Sequence, residues 1–209
     1  MRSAPSYRRF RRILVGLALC VCGCSTGHLT ESADPGPQRT GQKRAVSMSI
    51  TLTSRDFSPG AAIPKECTGE GTDRSPQLAW ANLPEGTRQL ALICDDPDAP
   101  TAEPWVHWVI YGLDPTLHEL PAGLPKDAVL EKPIRAKQGK NSWPSGQTIG
   151  YRGPLPPPGH GVHHYHFTLY ALDQPLELAP GADKQQLLKA MQGHILATGE
   201  LIGTYERKK

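Results

Sequence analysis

"GPLPPPGHGVHHYHFTLYALD", residues 153–173, joins a stiff loop to an aromatic run. Pro154, Pro156, Pro157 and Pro158 fix their φ angles and donate no backbone hydrogen, so the first half is a rigid loop. From Tyr165 onward the residues are aromatic, β-branched or aliphatic, and Asp173 closes the run, which predicts a β-strand over 165–173. Side chains on a strand alternate in direction. His163, Tyr165 and Phe167 therefore share one face, and His164, His166 and Thr168 share the other. A zinc site needs three or four ligands aimed at one spot, which His160, His163, His164 and His166 cannot all supply. His163 and Tyr165, following directly from the rigid loop, are placed to line a pocket. His164 and His166 point elsewhere, and His160 is undecided.

The rest of the chain from about residue 46 is also mostly strand. "VSMSITLTSRDF" (46–57) alternates, "QLALIC" (89–94) is a short apolar run, and "WVHWVIYGL" (105–113) is aromatic and β-branched. Only "GADKQQLLKAMQGHIL" (181–196) has helical spacing, with Leu187, Leu188 and Met191 on one side. "GELIGTYER" (199–207) predicts a closing strand. Many strands with proline-rich loops and one late helix predict a mainly β fold, an antiparallel β-sandwich with a late C-terminal helix. Residues 114–150 show little periodicity. A loop of that length, lying just ahead of the proline-histidine loop, is expected to form one wall of any pocket.

The N-terminal portion has a different composition. "MRSAPSYRRFRRILVGLALCVCGC" (1–24) carries five arginines and no acidic residue, then an apolar run from Ile13 to Val21. That pattern predicts a secretory signal over 1–23, too short in its apolar part to span a bilayer. "VCGC" (21–24) resembles the lipobox of bacterial lipoproteins, which makes Cys24 the expected lipidated residue and a membrane-anchored position facing periplasm or cell surface the expected location. Residues 24–45 are almost without large apolar side chains and predict a disordered tether, leaving 46–209 as one domain. The whole chain has 23 basic and 20 acidic residues. Five arginines leave with the signal, so 18 basic residues face 20 acidic ones and no basic footprint remains for nucleic acid. Cys67 and Cys94 then remain as either a disulfide or two buried thiols.

A second constellation lies in "CDDPDAPTAEPWVHWVIYG" (94–112), where a strand runs into Asp95, Asp96 and Asp98 before Trp105 and His107 share a face of the next strand. "DDPDAPT" and "WVHW", with "GYRGPLPPPGHGVHHYHFTLYALD" (150–173), resemble the phosphatidylethanolamine-binding protein family, its bacterial Raf-kinase-inhibitor-like branch in particular. "FSPGAAIPKECTGEGTDRSPQLAWANLPEGTRQLALI" (57–93), "GKNSW" (139–143) and "MQGHILATGELIGTY" (191–205) extend the likeness over nearly everything from residue 48. The resemblance implies a β-sandwich with a small anion pocket for phosphate or a phospholipid head group. Carried over by position, it implies Asp96, Asp98, Trp105, His107, Pro156, Pro157, His163 and Tyr165 as ligand-binding residues, and a cis bond at Ala99–Pro100. Leu155 stands where the family often has Gly or Cys; its backbone N–H remains available, so it joins the set. His164 replaces an arginine common in the motif.

The chemistry of these residue types agrees with that implication. His107 and His163 can supply N–H groups to an anion, and Tyr165 adds a hydroxyl. An aspartate beside phosphate would repel it, so Asp96 or Asp98 is expected to accept a proton from an imidazole and hold the ring. The sequence has no "GxSxG" or "HExxH", and nothing assigns Ser142 or Ser145 a base. A non-catalytic binding protein without cofactor or metal is the expectation. A metal site from Asp96, Asp98, His107 and His163, a hydrolase, or an inhibitor acting on a periplasmic or extracellular hydrolase or kinase through 114–150 are the alternatives.

Overall fold

The computed structural model describes residues 50–209. The expected export signal over 1–23, the expected lipidation at Cys24, the expected tether over 24–45 and the start of the strand read from 46–57 lie outside the described residues. Within them the strands run β1 (Thr51–Thr53), β2 (Leu78–Ala81), β3 (Gln89–Asp96), β4 (Trp105–Leu113), β5 (Glu119–Leu120), β6 (Val129–Leu130), β7 (Ala136–Gln138), β8 (His163–Leu172) and β9 (Ile195–Tyr205). One α-helix, α1 (Lys184–Met191), precedes β9. β1, β2 and β5 make a three-stranded sheet, and the other six pair in the order β6-β7-β4-β3-β8-β9. Every pairing in both sheets is antiparallel.

The central strands of the larger sheet are apolar on both faces because both faces are covered. Leu90, Leu92 and Cys94 of β3 pack with Trp108 and Ile110 of β4 and with Leu52, Leu78 and Trp80 of the small sheet. Ala91, Ile93, Val109 and Tyr111 point the other way, into a second cluster with Leu187 and Met191 of α1. A strand buried twice reads as a continuous apolar run, as "QLALIC" does. β8 alternates buried and partly exposed residues over most of its length.

The helix is shorter than the spacing predicts, for two local reasons. Asp183 caps it, accepting from Gln186 N–H (2.8 Å) while Gln186 Oε1 accepts from Asp183 N–H (2.9 Å), so it begins only after Asp183. At the other end Ile195 pairs with Leu172 and Ala197 with Ala171, drawing the end of the predicted helix into β9. Leu187 and Met191 are fully buried, whereas Leu188 faces outward at 37% exposure. The 114–150 stretch holds β5, β6 and β7, too short to leave a periodic signal. Cys67 and Cys94 are both buried free thiols.

Candidate functional site

The C-terminal end of β3 and the N-terminal ends of β4 and β8 meet at one edge of the larger sheet, and a register irregularity decides what they present there. Cys94 pairs with Trp108, but the next residue, Asp95, pairs with Val106. His107 is thus an extra residue in β4, a β-bulge, and alternation changes parity beyond it. Val106, which strict alternation would place beside Trp108, packs in the α1-side cluster instead. Trp105 and His107 consequently land on the face of His163 and Tyr165. Without the bulge they would share the α1 face with Val109 and Tyr111.

The 139–152 segment satisfies the bulge's backbone. Val106 N–H donates to Ser142 Oγ (2.8 Å), Ser142 N–H to Val106 O (2.9 Å), and Arg152 N–H to His107 O (2.9 Å). Ser142 therefore serves as a backbone partner. The same segment brings Trp143 edge-on to Trp105 (centroids 5.4 Å apart) and to His107 (5.1 Å). The proline loop is held from outside: Gly69 N–H donates to Pro154 O (2.9 Å), Gly153 N–H to Asp73 Oδ1 (2.6 Å), and Arg207 Nη1 to Pro156 O (3.1 Å).

Together these elements enclose a cavity of about 230 Å³. Trp105, Trp143, Leu155, Pro156, Pro157, Ala99 and Pro100 give it apolar walls, and Asp96, Thr101, His107, His163 and Tyr165 complete the lining. Asp96 and His163 are buried at 3% and 1% exposure, and His163 Nδ1–H donates to Asp96 Oδ2 at 2.7 Å. Asp96 Oδ1 accepts from Asp98 N–H (2.9 Å). His163 Nε2 lies 2.8 Å from Nδ1 of exposed His160, so carboxylate, imidazole and imidazole form one hydrogen-bonded row from the buried carboxylate to the surface. His107 Nδ1 lies 2.6 Å from Arg152 O. A carbonyl only accepts, so that nitrogen carries the hydrogen and the ring has only Nε2 left for the cavity. Burial pushes its pKa down to about 4, against the pull of the Arg152 carbonyl and of Asp96, Asp73 and Asp95, so the ring is neutral at pH 7. Tyr165 Oη is buried with no hydrogen-bond partner among the described residues. Burial and nearby carboxylates raise its pKa, keeping the hydroxyl protonated as a donor. Leu155 N–H makes no backbone hydrogen bond among the described residues.

Eight of the nine residues expected to bind ligand line this cavity; Asp98 does not. Its Oδ2 accepts from His164 N–H (2.8 Å) and His164 Nδ1 (2.7 Å) at the surface, and those bonds lower its pKa. His166 bonds Glu200 (2.9 Å), so His164 and His166 are both turned away from the cavity. Both aspartates hold an imidazole, Asp96 that of His163 in the cavity lining and Asp98 that of His164 at the surface. The expectation that both His107 and His163 offer N–H groups is corrected: His107 has only an acceptor to give, and His163 Nε2 is engaged by His160. The bond at Ala99–Pro100 is trans, because the only cis peptide among the described residues is Lys132–Pro133. The turn closes instead through Asp98 N–H to Asp96 Oδ1 and Thr101 N–H to Ala99 O (2.7 Å). Trp143, Ala99, Pro100 and Thr101 were not anticipated as lining. No group of three or more His, Cys, Asp or Glu among the described residues is arranged to hold a metal ion.

The profile of the family described as phosphatidylethanolamine-binding protein matches residues 53–206. A UPF0098 protein of Pyrococcus abyssi is 49% identical over 168 residues, covering 80% of this chain and 89% of the relative. Among solved structures, a phosphatidylethanolamine-binding protein homologue of Chlamydia trachomatis superposes with a TM-score of 0.67 at 41% identity, over 77% of this chain and 99% of that one. E. coli YbcL, whose structure is described as that of a new member of the mammalian family, gives 0.69 at 29% identity over the same shares. The chain belongs to the phosphatidylethanolamine-binding protein family, in its bacterial and archaeal branch.

Proposed function

We propose that this family member is a non-catalytic binding protein whose cavity takes phosphate or a phosphorylated head group, held at a membrane surface by a lipid on Cys24. The observation that carries the reading is the Tyr165 hydroxyl, buried beside the cavity with no protein partner. A desolvated donor of this kind costs roughly 1–3 kcal/mol when unpaired, and a phosphoryl oxygen in the cavity supplies the missing acceptor. Leu155 N–H adds a second donor, and the Asp96–His163 bond holds two further lining residues in place. The apolar remainder of the lining suits the carbon portion of a phosphoester more than a freely hydrated ion.

Titration calorimetry of the purified protein with phosphoethanolamine tests the cavity. Saturable heat that weakens in Tyr165→Phe and His163→Ala is expected; no heat, or binding unchanged in Tyr165→Phe, rejects the reading. The anchor has its own test. Mass spectrometry of the N-terminal peptide should show acylated Cys24, and an unmodified Cys24 on exported protein overturns that part.

A further inference from the structure

Three polar groups on the lining residues have fixed roles. Tyr165 Oη–H and Leu155 N–H are donors, the first without any partner and the second without a backbone one among the described residues. His107 is committed to accepting through Nε2, because its Nδ1–H is spent on Arg152 O at 2.6 Å. The His107 ring is 3% exposed and wedged edge-on between Trp143 and Tyr165, at centroid distances of 5.1 and 5.0 Å. The titratable and charged groups around it are Asp95 and Asp96 on β3, His163 and Tyr165 on β8, His160 behind His163, Asp73 and Arg152. Arg152 is turned onto the Trp143 ring, its guanidinium carbon 4.4 Å from the centroid. The carboxylates favour a charged imidazole, burial opposes it more strongly, and the ring stays neutral. The lining contains no Lys or Arg, and its single carboxylate, Asp96, repels an anion.

From this set of atoms we infer that the cavity selects an oxyanion that still carries a proton, a singly charged phosphate monoester whose P–OH donates to His107 Nε2 while Tyr165 Oη and Leu155 N–H donate to its other oxygens. The inference rests on the head-group reading above and narrows it to one protonation state. A phosphate dianion sets a lone pair against the Nε2 lone pair and brings a second negative charge into a cavity whose lining has no Lys or Arg and already holds the Asp96 carboxylate. A sulfate ester carries the acceptable single charge but has no proton to give, so it meets the same opposed lone pairs. His107 is on this account the residue that sets ligand specificity, acting as an acceptor.

Methyl phosphate and methyl sulfate separate these effects, since the protonated phosphate ester and the sulfate ester have the same charge and nearly the same shape. Both are titrated into the full chain by calorimetry between pH 5.5 and 8. A phosphate monoester loses its second proton near pH ~6, so the dissociation constant for methyl phosphate should rise roughly tenfold per pH unit above that point. Methyl sulfate should bind at least about tenfold more weakly at pH 5.5, because a buried acceptor is left unpaired, and its affinity should be flat with pH. In His107→Gln the amide N–H can donate, so the gap between the esters should narrow and the pH slope flatten; the wild-type comparison decides by itself if that variant does not fold. Equal binding of the two esters, or methyl phosphate bound as tightly at pH 8 as at pH 5.5, overturns the inference and leaves the head-group reading standing. Parallel tightening of both esters in acid assigns the pH dependence to the protein and not to the proton on the ligand, and also overturns it. Binding of neither ester at any pH overturns the head-group reading itself, and this inference with it.

Discussion

Tyr165→Phe is expected to make the empty protein more stable and the liganded protein less so. The Tyr165 ring is fully buried and meets His107 edge-on at 5.0 Å and 85°, contacts that phenylalanine keeps. Only the hydroxyl changes, and it has no hydrogen-bond partner among the described residues. Removing an unsatisfied buried hydroxyl relieves a desolvation cost of roughly 1–3 kcal/mol. The small void left behind offsets part of that, so a net gain of about 1 kcal/mol is expected. In a domain of this size that raises Tm by roughly 2–4 °C. The assay is thermal and urea denaturation in phosphate-free buffer, repeated with phosphoethanolamine. At a hundredfold excess over Kd a ligand adds about 2.7 kcal/mol to the state that binds it, so the wild-type protein should overtake the variant once ligand is present. A variant about 1 kcal/mol or more less stable than wild type without ligand refutes the reasoning, because it would mean the hydroxyl already has a partner.

The remaining predictions concern the site's supports. His107 has its folded pKa pushed from 6.5 down to about 4, so between those values the unfolded chain binds a proton the folded one refuses. Stability should therefore fall by up to about 3 kcal/mol as pH drops from 6.5 to 4, and a pH series of urea melts should show that slope reduced in His107→Phe. Gln138 Oε1 accepts from Trp108 Nε1–H (2.7 Å) while its Nε2 donates to Pro125 O (2.7 Å) and Asp127 O (2.8 Å). Gln138→Leu leaves three polar groups unpaired and should cost about 3 kcal/mol or more in denaturant melts; a loss below about 1 kcal/mol would contradict that role. Burial raises both thiols, Cys67 up to about 11 and Cys94 well above the usual range. Peptide mapping after alkylation at pH 8 should find both unmodified in folded protein and labelled after unfolding, with no Cys67–Cys94 disulfide.

The two-sided core made β3 and β4 readable as apolar runs, and the alternation of β8 correctly separated His163 and Tyr165 from His164 and His166. β5 and β6 span two residues each, too few for any period to register. The His107 bulge had no sequence signal either, since it follows from how the 139–152 segment bonds Val106 and His107. Asp96 and Asp98 look equivalent because alternation places i and i+2 on one face. The strand ends at Asp96, however, and the turn beyond it carries Asp98 out to His164. Trp143 sits in an aperiodic loop, so only its packing on Trp105 and His107 identifies it. The donor and acceptor roles were the least legible part. Residue types give an imidazole two nitrogens, but the Arg152 carbonyl and His160 decide which of them the cavity receives.

The central claim is most directly tested by a crystal structure of the protein with phosphoethanolamine. The account predicts a phosphoryl group in the cavity, with one oxygen about 2.5–3 Å from Tyr165 Oη and another at hydrogen-bonding distance from His107 Nε2. A head group bound elsewhere, or an empty cavity at saturating ligand, would contradict it.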